Sequence, residues 1–231
     1  PDQFGNISQL PQILNDFGID NFIFGRGFEC YHKDETGKIV TEQLPSEFIW
    51  QGADGTQALA IHMKYWYNNA QRFSEDPKIA KKLIEVVECS FEGVAITPYL
   101  LLMNGVDHLE AQENLLPILE KLNQDKINGT VRQIKMTDYV ANVRNYIQEH
   151  QVPMMTHYGE LRMGGDGQLL QGTLSSRSYL KRLNVLAQNR LDNCLEPLYS
   201  MLETAGCTGS YPKNYLHYLW KKLMQNHPHD S

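Results

Sequence analysis

The 231-residue sequence is poor in cysteine, and its cysteines are far apart. The two nearest, Cys194 and Cys207, are separated by 13 positions, so there is no CxxC motif of the zinc or redox type. Four cysteines in a chain of this length also exclude a disulfide-rich scaffold. We expect four free thiols, Cys30, Cys89, Cys194 and Cys207, and a cytoplasmic location.

Positive charge and long apolar runs are also scarce. Lys and Arg number 21 against 27 Asp and Glu, which gives a net charge of −6. A protein that binds the phosphates of a nucleic acid is expected to be basic, whereas this chain is acidic. We therefore expect no nucleic-acid partner. The longest apolar stretch, residues 94–103, is interrupted by Thr97 and Pro98, and a membrane-spanning helix needs about 20 residues. We therefore expect no membrane partner.

The two ends of the chain are unusual. The sequence starts at Pro1 without an initiator Met and stops in the polar run NHPHDS. We therefore expect a piece excised from a longer protein. Its length corresponds to one large domain or two smaller ones, at about 150 residues per domain.

Segments of strand and helix character alternate through the first part of the chain. The polar residues 29–46 predict a loop or a hairpin, and Asp54-Gly55 predicts a hairpin between its flanking segments. The alternation favours a mainly parallel α/β architecture. The predicted helices are 8–17, 77–89, 110–123 and a helix capped by Thr137-Asp138 that ends at His150, and the predicted strands are 21–25, 47–51, 58–63, 94–103 and 131–136.

The later part of the chain has a different pattern. Leucines recur at helical spacing through residues 174–204, and Pro212 opens a last amphipathic helix. Two long helices without a strand between them indicate a helical bundle. We predict an α/β domain over residues 1–168 and the start of a helical domain over residues 169–231.

Several polar residues stand where α/β folds place their sites, at the carboxyl ends of strands and next to helix ends. Asp2 precedes the first helix, Arg26 follows the first strand, and Asp107 follows residues 94–103. Each also has an ordinary interpretation. Asp2 and Asp107 fit helix caps, Arg26 fits a turn with a surface charge, and the histidines at the end of the chain fit solvated charge.

Taken together, these residues suit the hydrolysis of a glycosidic bond. That reaction uses two carboxylates, one to attack the anomeric carbon and one to give and then take back a proton. Asp2 and Asp107 are the candidates. A cation beside the sugar would need oxygen and imidazole ligands, which Asp2 and His229 offer, although two ligands are too few for a metal site.

The sequence contains four motif blocks: PDQFG with QLPQ at residues 1–12, NGVDH with EAQ at 104–112, GTLSSRSYLKR at 172–182, and QNHPHDS at 225–231. These blocks resemble glycoside hydrolase family 38, the α-mannosidases, in a bacterial, cytosolic-type form. They follow the family's order and together span the chain. The resemblance implies the later part of a (β/α) barrel-like catalytic domain followed by a helical-bundle domain.

The resemblance also implies a role for each matching residue. Asp2 corresponds to the catalytic nucleophile, which also binds zinc, and Asp107 corresponds to the general acid/base. His229 corresponds to a zinc ligand, and Asp230 to a carboxylate that binds sugar hydroxyls. The family's other zinc ligands precede the nucleophile, so we expect them upstream of Pro1.

Aromatic and cationic residues complete the expected sugar site. Phe4 corresponds to an aromatic residue near the sugar, and Arg26 to an arginine close to the nucleophile. Arg26 is expected to hold the carboxylate of Asp2 by charge-assisted hydrogen bonds. The aromatic run from Tyr65 to Tyr67 fits the lining of a sugar pocket or the packing of a core.

Three functional hypotheses follow. The first is a zinc-dependent retaining α-mannosidase that hydrolyses terminal α-linked mannose of an oligosaccharide or a mannoside. The second is a hydrolase of mannosylglycerate-type α-mannosides, whose leaving group is a small acid. The third is a carbohydrate-binding fragment that is inactive in isolation and binds zinc poorly. The sequence leaves the oligomeric state open, with a homo-oligomer as one option.

Overall fold

The computed structural model describes residues 2–28, 31–33, 35–41, 44–64, 66–125, 127, 129–163, 169–173, 175–207, 209 and 211–228. The chain forms two compact units, Pro1–Gln171 and Gly172–Ser231. The assignment of residues 1–168 and 169–231 to a catalytic and a helical domain stays a prediction. Cys30, Tyr65, His229 and Asp230 lie outside the described residues.

The first unit contains a four-stranded sheet, a two-stranded hairpin and four helices among its described residues. The hairpin pairs Tyr31–Lys33 with Ile39–Thr41 and is one of the two forms that the polar stretch predicted. The elements are α1 (Leu10–Asp16), β1 (Asn21–Phe24), β2 (Tyr31–Lys33), β3 (Ile39–Thr41), β4 (Glu47–Gln51), β5 (Gln57–His62), α2 (Pro77–Phe91), α3 (Leu115–Gln124), α4 (Met136–Glu149) and β6 (Thr156–Tyr158).

The larger sheet is mixed, in the order β1-β5-β4-β6, where the sequence predicted a mainly parallel sheet. β1 pairs with β5 and β4 pairs with β6 in parallel, whereas β4 and β5 are antiparallel. The antiparallel pair arises from the tight turn at Asp54-Gly55, where the Asp54 carboxylate accepts hydrogen bonds from the backbone N–H and the hydroxyl of Thr56. The predicted β4–β5 hairpin is therefore confirmed.

Alternating side chains give this sheet two buried faces. One face carries the fully buried Phe24, Phe48 and Trp50, and the rings of Phe28 and Phe48 stack with centroids 4.1 Å apart. The other face packs Leu59 and Ile61 against Tyr139, Val140 and Val143 of α4. Burying each such side chain stabilises the fold by about 1.5–3 kcal/mol, so the sheet is a firm platform for the segments at its edges.

Two predicted strands, residues 94–103 and 131–136, are wrong. In both segments, side chains form the backbone hydrogen bonds that a neighbouring strand would otherwise form. The amide of Asn69 binds the carbonyl of Leu101 and the N–H of Met103, and Asn123 binds both backbone groups of Val131. Both segments are therefore held in irregular conformations.

Two helix starts also differ from the sequence prediction. α3 begins at Leu115 and not at residue 110, because Pro117 has no N–H to donate and is tolerated only in the first turn. α4 begins at Met136, so Thr137 and Asp138 lie inside its first turn and do not cap it. Asp138 still places a negative charge near the positive end of the helix dipole.

The second unit is helical in its described part. Leu191, Leu216 and Leu223 form its buried cluster. The π-helical turn falls just before Pro197, whose missing N–H and bulky ring do not fit a regular α-helix. The segments are α5 (Ser178–Arg190), the π-helical turn Leu191–Leu195, α6 (Glu196–Thr204) and α7 (Lys213–Met224).

The described residues also bear on the cysteines and on membrane association. Cys89, Cys194 and Cys207 are exposed free thiols, as expected. Within the described ranges, every helix is too short or too polar to cross a membrane.

Candidate active site

The parallel pairing of β1 with β5 brings two distant segments to one edge of the sheet. Phe24 lies opposite His62 in the register, so both strands end together. The N–H of Met63 donates to the carbonyl of Phe24 at 2.8 Å and continues the pairing past the strand ends. The segments that follow, with Arg26 on one and Trp66 on the other, therefore leave the sheet side by side.

Arg26 holds the carboxylate of Asp2. The Nε of Arg26 lies 2.7 Å from Oδ1 of Asp2, and its Nη2 lies 2.6 Å from the same oxygen. The side chain of Arg26 is 13% exposed and that of Asp2 is 41% exposed. The predicted contact is therefore present. Asp2 is not a cap of α1, which begins at Leu10, and Arg26 is not a solvated surface charge.

Two aromatic rings lie against the guanidinium of Arg26. Its central carbon lies 4.5 Å from the ring centroid of Phe4 and 4.1 Å from that of Trp66. Such cation–π contacts contribute about 0.5–1 kcal/mol when exposed and about 2 kcal/mol when desolvated. Phe4 and Trp66 thus fix the guanidinium plane, and Arg26 in turn fixes the Asp2 carboxylate.

Tyr67 follows Trp66 on the segment that leaves β5. Its ring lies 5.3 Å from that of Trp66, whose backbone has an uncommon positive φ of 75°. The pKa of the Tyr67 hydroxyl is raised by burial and then by the negative charges of Asp2 and Asp107.

Asp107 lies on an exposed turn that precedes α3 by several residues. The cap position of α3 is Asn114, so Asp107 is not a helix cap. The turn bends sharply, with φ of 143° at Gly105 and 64° at His108. Asp107 is exposed to solvent on this turn.

The chain around Leu161 ties the N-terminal segment to the Arg26 loop. Asn6 and Leu161 exchange backbone hydrogen bonds of 3.0 and 2.9 Å, and Met163 donates to the carbonyl of Gly27 at 2.9 Å. A Cβ on Gly27 would lie 2.3 Å from the carbonyl oxygen of Leu161, so a larger residue does not fit. This close approach places Asp2 and Phe4 against Arg26.

Sequence reasoning missed a buried histidine beneath this loop. His62 ends β5, is 1% exposed and stacks on Phe24 with ring centroids 5.1 Å apart. Neither ring nitrogen has a hydrogen-bond partner among the described residues. Burial, followed by repulsion from Lys64, lowers the pKa of His62 to about 3. The available signal was a histidine at the end of an apolar strand.

A cavity of about 450 Å³ lies elsewhere in the first unit. Residues of α2, α3 and α4 line it, together with Leu100, Leu102 and Asn104, but Asp2, Arg26 and Asp107 do not. The candidate site is therefore the open edge of the sheet, whereas the cavity lies behind the Asp107 turn.

The described residues do not complete a metal site. Among them, no group of three or more His, Cys, Asp or Glu side chains is placed to hold an ion. Asp2 has the carboxylate chemistry that a zinc ligand requires, and its Oδ1 already receives both contacts from Arg26. The predicted ligand His229 and the predicted sugar contact Asp230 lie outside the described residues.

Comparison with solved structures gives related enzymes. An α-mannosidase from Enterococcus faecalis V583 matches with a TM-score of 0.69 and 31% identity over all of this chain and 25% of its own. A second protein from Enterococcus faecalis, described as a member of glycosyl hydrolase family 38, matches with a TM-score of 0.54 and 27% identity over 99% of this chain and 22% of its own.

Curated relatives agree. A protein of Halalkalibacterium halodurans named "Putative mannosylglycerate hydrolase" is 32% identical over the whole chain and 25% of its own length. "Alpha-mannosidase 2C1" of Homo sapiens is 23% identical over the whole chain and 20% of its own length. The chain thus spans about a quarter or less of these relatives. The family description "Glycosyl hydrolases family 38 N-terminal domain" matches residues 1–160. The chain therefore belongs to glycosyl hydrolase family 38, as its four sequence blocks indicated.

Proposed function

We propose that this chain supplies the two catalytic carboxylates of a retaining α-mannosidase, with Asp2 as nucleophile and Asp107 as general acid/base. The observation that carries the proposal is the contact of Arg26 with the Asp2 carboxylate beside Phe4 at the edge of the sheet. Asp107 is assigned to its role by its place in the NGVDH block. Family membership supplies the reaction class. The substrate would be a terminal α-linked mannose of an oligosaccharide or a smaller mannoside.

The proposed reaction is a two-step displacement. In the first step an oxygen of Asp2 attacks the anomeric carbon while the bond to the leaving oxygen breaks and Asp107 protonates that oxygen. In the second step Asp107 takes a proton from water, which attacks the same carbon and releases Asp2. Arg26, which contacts Phe4 and Trp66, holds Oδ1 so that the carboxylate keeps one orientation through both steps.

Other side chains extend the proposed site. Tyr67, whose ring packs on that of Trp66, is proposed to bind a sugar hydroxyl through its own hydroxyl. Asp230 is proposed as a second sugar ligand, and zinc as a cofactor held in part by Asp2 and His229. When bound, zinc would act as a Lewis acid toward sugar hydroxyls.

The test uses the full-length protein that contains this chain and an aryl α-mannoside as substrate. Asp2→Ala should lower kcat by at least about 10³-fold and abolish the mannosyl-enzyme seen by intact-mass measurement. Asp107→Ala should lose activity that added azide restores, because azide needs no general base. Asp16→Ala, an exposed aspartate of α1, is the matched control. Full activity in Asp2→Ala would refute the nucleophile assignment.

A second candidate substrate is an α-mannoside of glycerate. It is favoured by the 32% identity to the relative whose name gives mannosylglycerate. The two substrates are separated by comparing kcat/KM for mannosylglycerate with kcat/KM for an uncharged alkyl α-mannoside. A preference of about 100-fold for the acidic substrate would decide for the second candidate, because a site built to pair a charged group discriminates strongly.

The third hypothesis, an inactive fragment, concerns the 231 residues alone. We expect the isolated chain to bind zinc weakly and to hydrolyse little or no mannoside, because Asp2 and His229 are too few ligands. Tight stoichiometric zinc binding, measured by metal analysis after gel filtration, would contradict this expectation.

A further inference from the structure

The turn that carries Asp107 is anchored through side-chain amides. Residues 104–112 connect an irregular segment to α3, and the described part of this turn lies outside the strands of the sheet. Three amide side chains, Asn69, Asn104 and Gln112, tie its base to residues 69–73. We refer to these three residues as the amide clamp.

Asn69 forms the first anchor. It is 3% exposed, and its Nδ2 donates to the carbonyl of Leu101 at 2.8 Å while its Oδ1 accepts from the N–H of Met103 at 2.7 Å. The N–H of Ala70 donates to the carbonyl of Met103 at 3.1 Å. One buried amide thus fixes the chain directly before the turn.

Gln112 forms the second anchor, at the other end of the turn. Its Oε1 accepts from the N–H of Phe73 at 2.9 Å, and its Nε2 donates to the carbonyl of Phe73 at 2.8 Å and to Oδ1 of Asn114 at 3.0 Å. The side chain therefore engages both backbone groups of one residue, as a strand neighbour would.

Asn104 joins the two anchors. Its Nδ2 donates to the carbonyl of Ala70 at 3.0 Å and to Oε1 of Gln112 at 3.1 Å. The turn is thus closed at its base by a direct bond between its first and last residues. Because both ends are bound to the same short segment, the positions of residues 105–111 depend on the clamp.

The opposite side of this base is open. Asn104, Ala111 and Gln112 line the cavity of about 450 Å³. On that side the hydrogen bonds of the amide clamp therefore support the turn. Each such bond contributes about 0.5–1.5 kcal/mol, and a displaced clamp leaves several buried polar groups unpaired.

We propose that the amide clamp positions the Asp107 carboxyl for proton transfer to the leaving oxygen, with Asn69, Asn104 and Gln112 as positioning residues. This inference rests on the proposed function, in which Asp107 is the general acid. Proton transfer requires about 2.6–3.2 Å between the two heavy atoms, and a displacement of about 1 Å costs about 100-fold in rate. A loosened clamp should therefore impair protonation selectively.

The experiment compares two substrates of the full-length protein. 2,4-Dinitrophenyl α-mannoside has a leaving group that departs without protonation, whereas methyl α-mannoside requires it. The ratio of their kcat/KM values is independent of the fraction of enzyme that is folded. Gln112→Met keeps the side-chain volume and removes the amide. It should lower kcat/KM for the methyl glycoside about 100-fold more than for the dinitrophenyl glycoside.

Asn123→Leu is the matched control. Asn123 also binds both backbone groups of one residue, Val131, at 2.9 Å each, but it lies on α3 away from the Asp107 turn. Its substrate ratio should equal that of the wild type. Asn104→Asp, which keeps the size but loses the Nδ2 donor, repeats the test if Gln112→Met does not fold, and it should shift the ratio in the same direction.

The outcomes separate the inference from the proposed function. If the wild type hydrolyses neither substrate, or if Asp107→Ala does not shift the ratio, the proposed function and the inference both fail. If Asp107→Ala shifts the ratio while the foldable clamp variant retains the wild-type ratio, the proposed function stands and the positioning role is overturned.

Discussion

The buried histidine beneath the Arg26 loop makes the first unit sensitive to acid. His62 is enclosed by Phe24 and Phe28, and its pKa is lowered from 6.5 to about 3 by burial and by Lys64. An unfolded chain would protonate this imidazole near pH 6.5. Between pH 6.5 and 3 the unfolded state therefore binds one more proton than the folded state, so stability falls as the pH falls.

The magnitude follows from the two pKa values. Each pH unit inside this window costs about 1.4 kcal/mol, and integration gives a loss of about 2–3 kcal/mol at pH 4.5 relative to neutral pH. This is a large share of the 5–15 kcal/mol that stabilises a typical domain. His62→Leu cannot be protonated, so it should lack this part of the acid sensitivity whatever its cost at neutral pH.

The assay is urea denaturation followed by tryptophan fluorescence at pH 7.5 and pH 4.5. The difference in unfolding free energy between the wild type and His62→Leu should shift by about 2–3 kcal/mol in favour of the variant at the lower pH. Val143→Ala, which truncates a buried side chain that cannot titrate and keeps His62, should lose the same stability at both pH values. A pH dependence identical in His62→Leu and the wild type, or an NMR titration of His62 near pH 6.5, would refute the reasoning.

Two further predictions concern the Arg26 loop. Arg26→Lys keeps the charge but loses the paired contact to Asp2 and the stacking of the guanidinium. The kcat/KM of the full-length protein on an aryl α-mannoside should therefore fall about 10- to 100-fold, which is the equivalent of one charge-assisted hydrogen bond. An unchanged kcat/KM would contradict the orienting role of Arg26. A left-handed backbone costs a non-glycine residue about 1–2 kcal/mol. In thermal melts Gly27→Ala should destabilise the first unit by more than this, because its Cβ meets the Leu161 carbonyl. Gly18→Ala, at a φ of 72° with open space around it, should cost only that amount.

Local signals predicted much of the fold. The spacing of apolar residues gave α1, α2 and the long helical period of the second unit, and Asp54-Gly55 gave the β4–β5 hairpin. These patterns act within a few residues of the chain, so they are readable without tertiary structure. Residues 94–103 were misread because their apolar composition suits a strand, whereas the deciding contact is a side chain more than thirty positions earlier, Asn69.

The site was predictable in its residues but not in its arrangement. The family resemblance identified Asp2, Arg26 and Phe4, which the structure brings together, and Asp107, which lies on an exposed turn. Their catalytic roles stay predictions. The contact of Arg26 with Trp66 and the burial of His62 depend on the β1–β5 register, which no local pattern contains.

The parallel pairing of β1 with β5 has a consequence for the order of folding. The β4–β5 hairpin closes across residues 52–56, and hairpins form within about 1–10 microseconds. β1 joins β5 only after the chain between Phe24 and Gln57 has closed into a much longer loop, which costs more entropy and is slower. Arg26 meets Trp66 only once that closure is complete. We therefore expect the edge that carries Asp2 to assemble late, when the sheet has already formed.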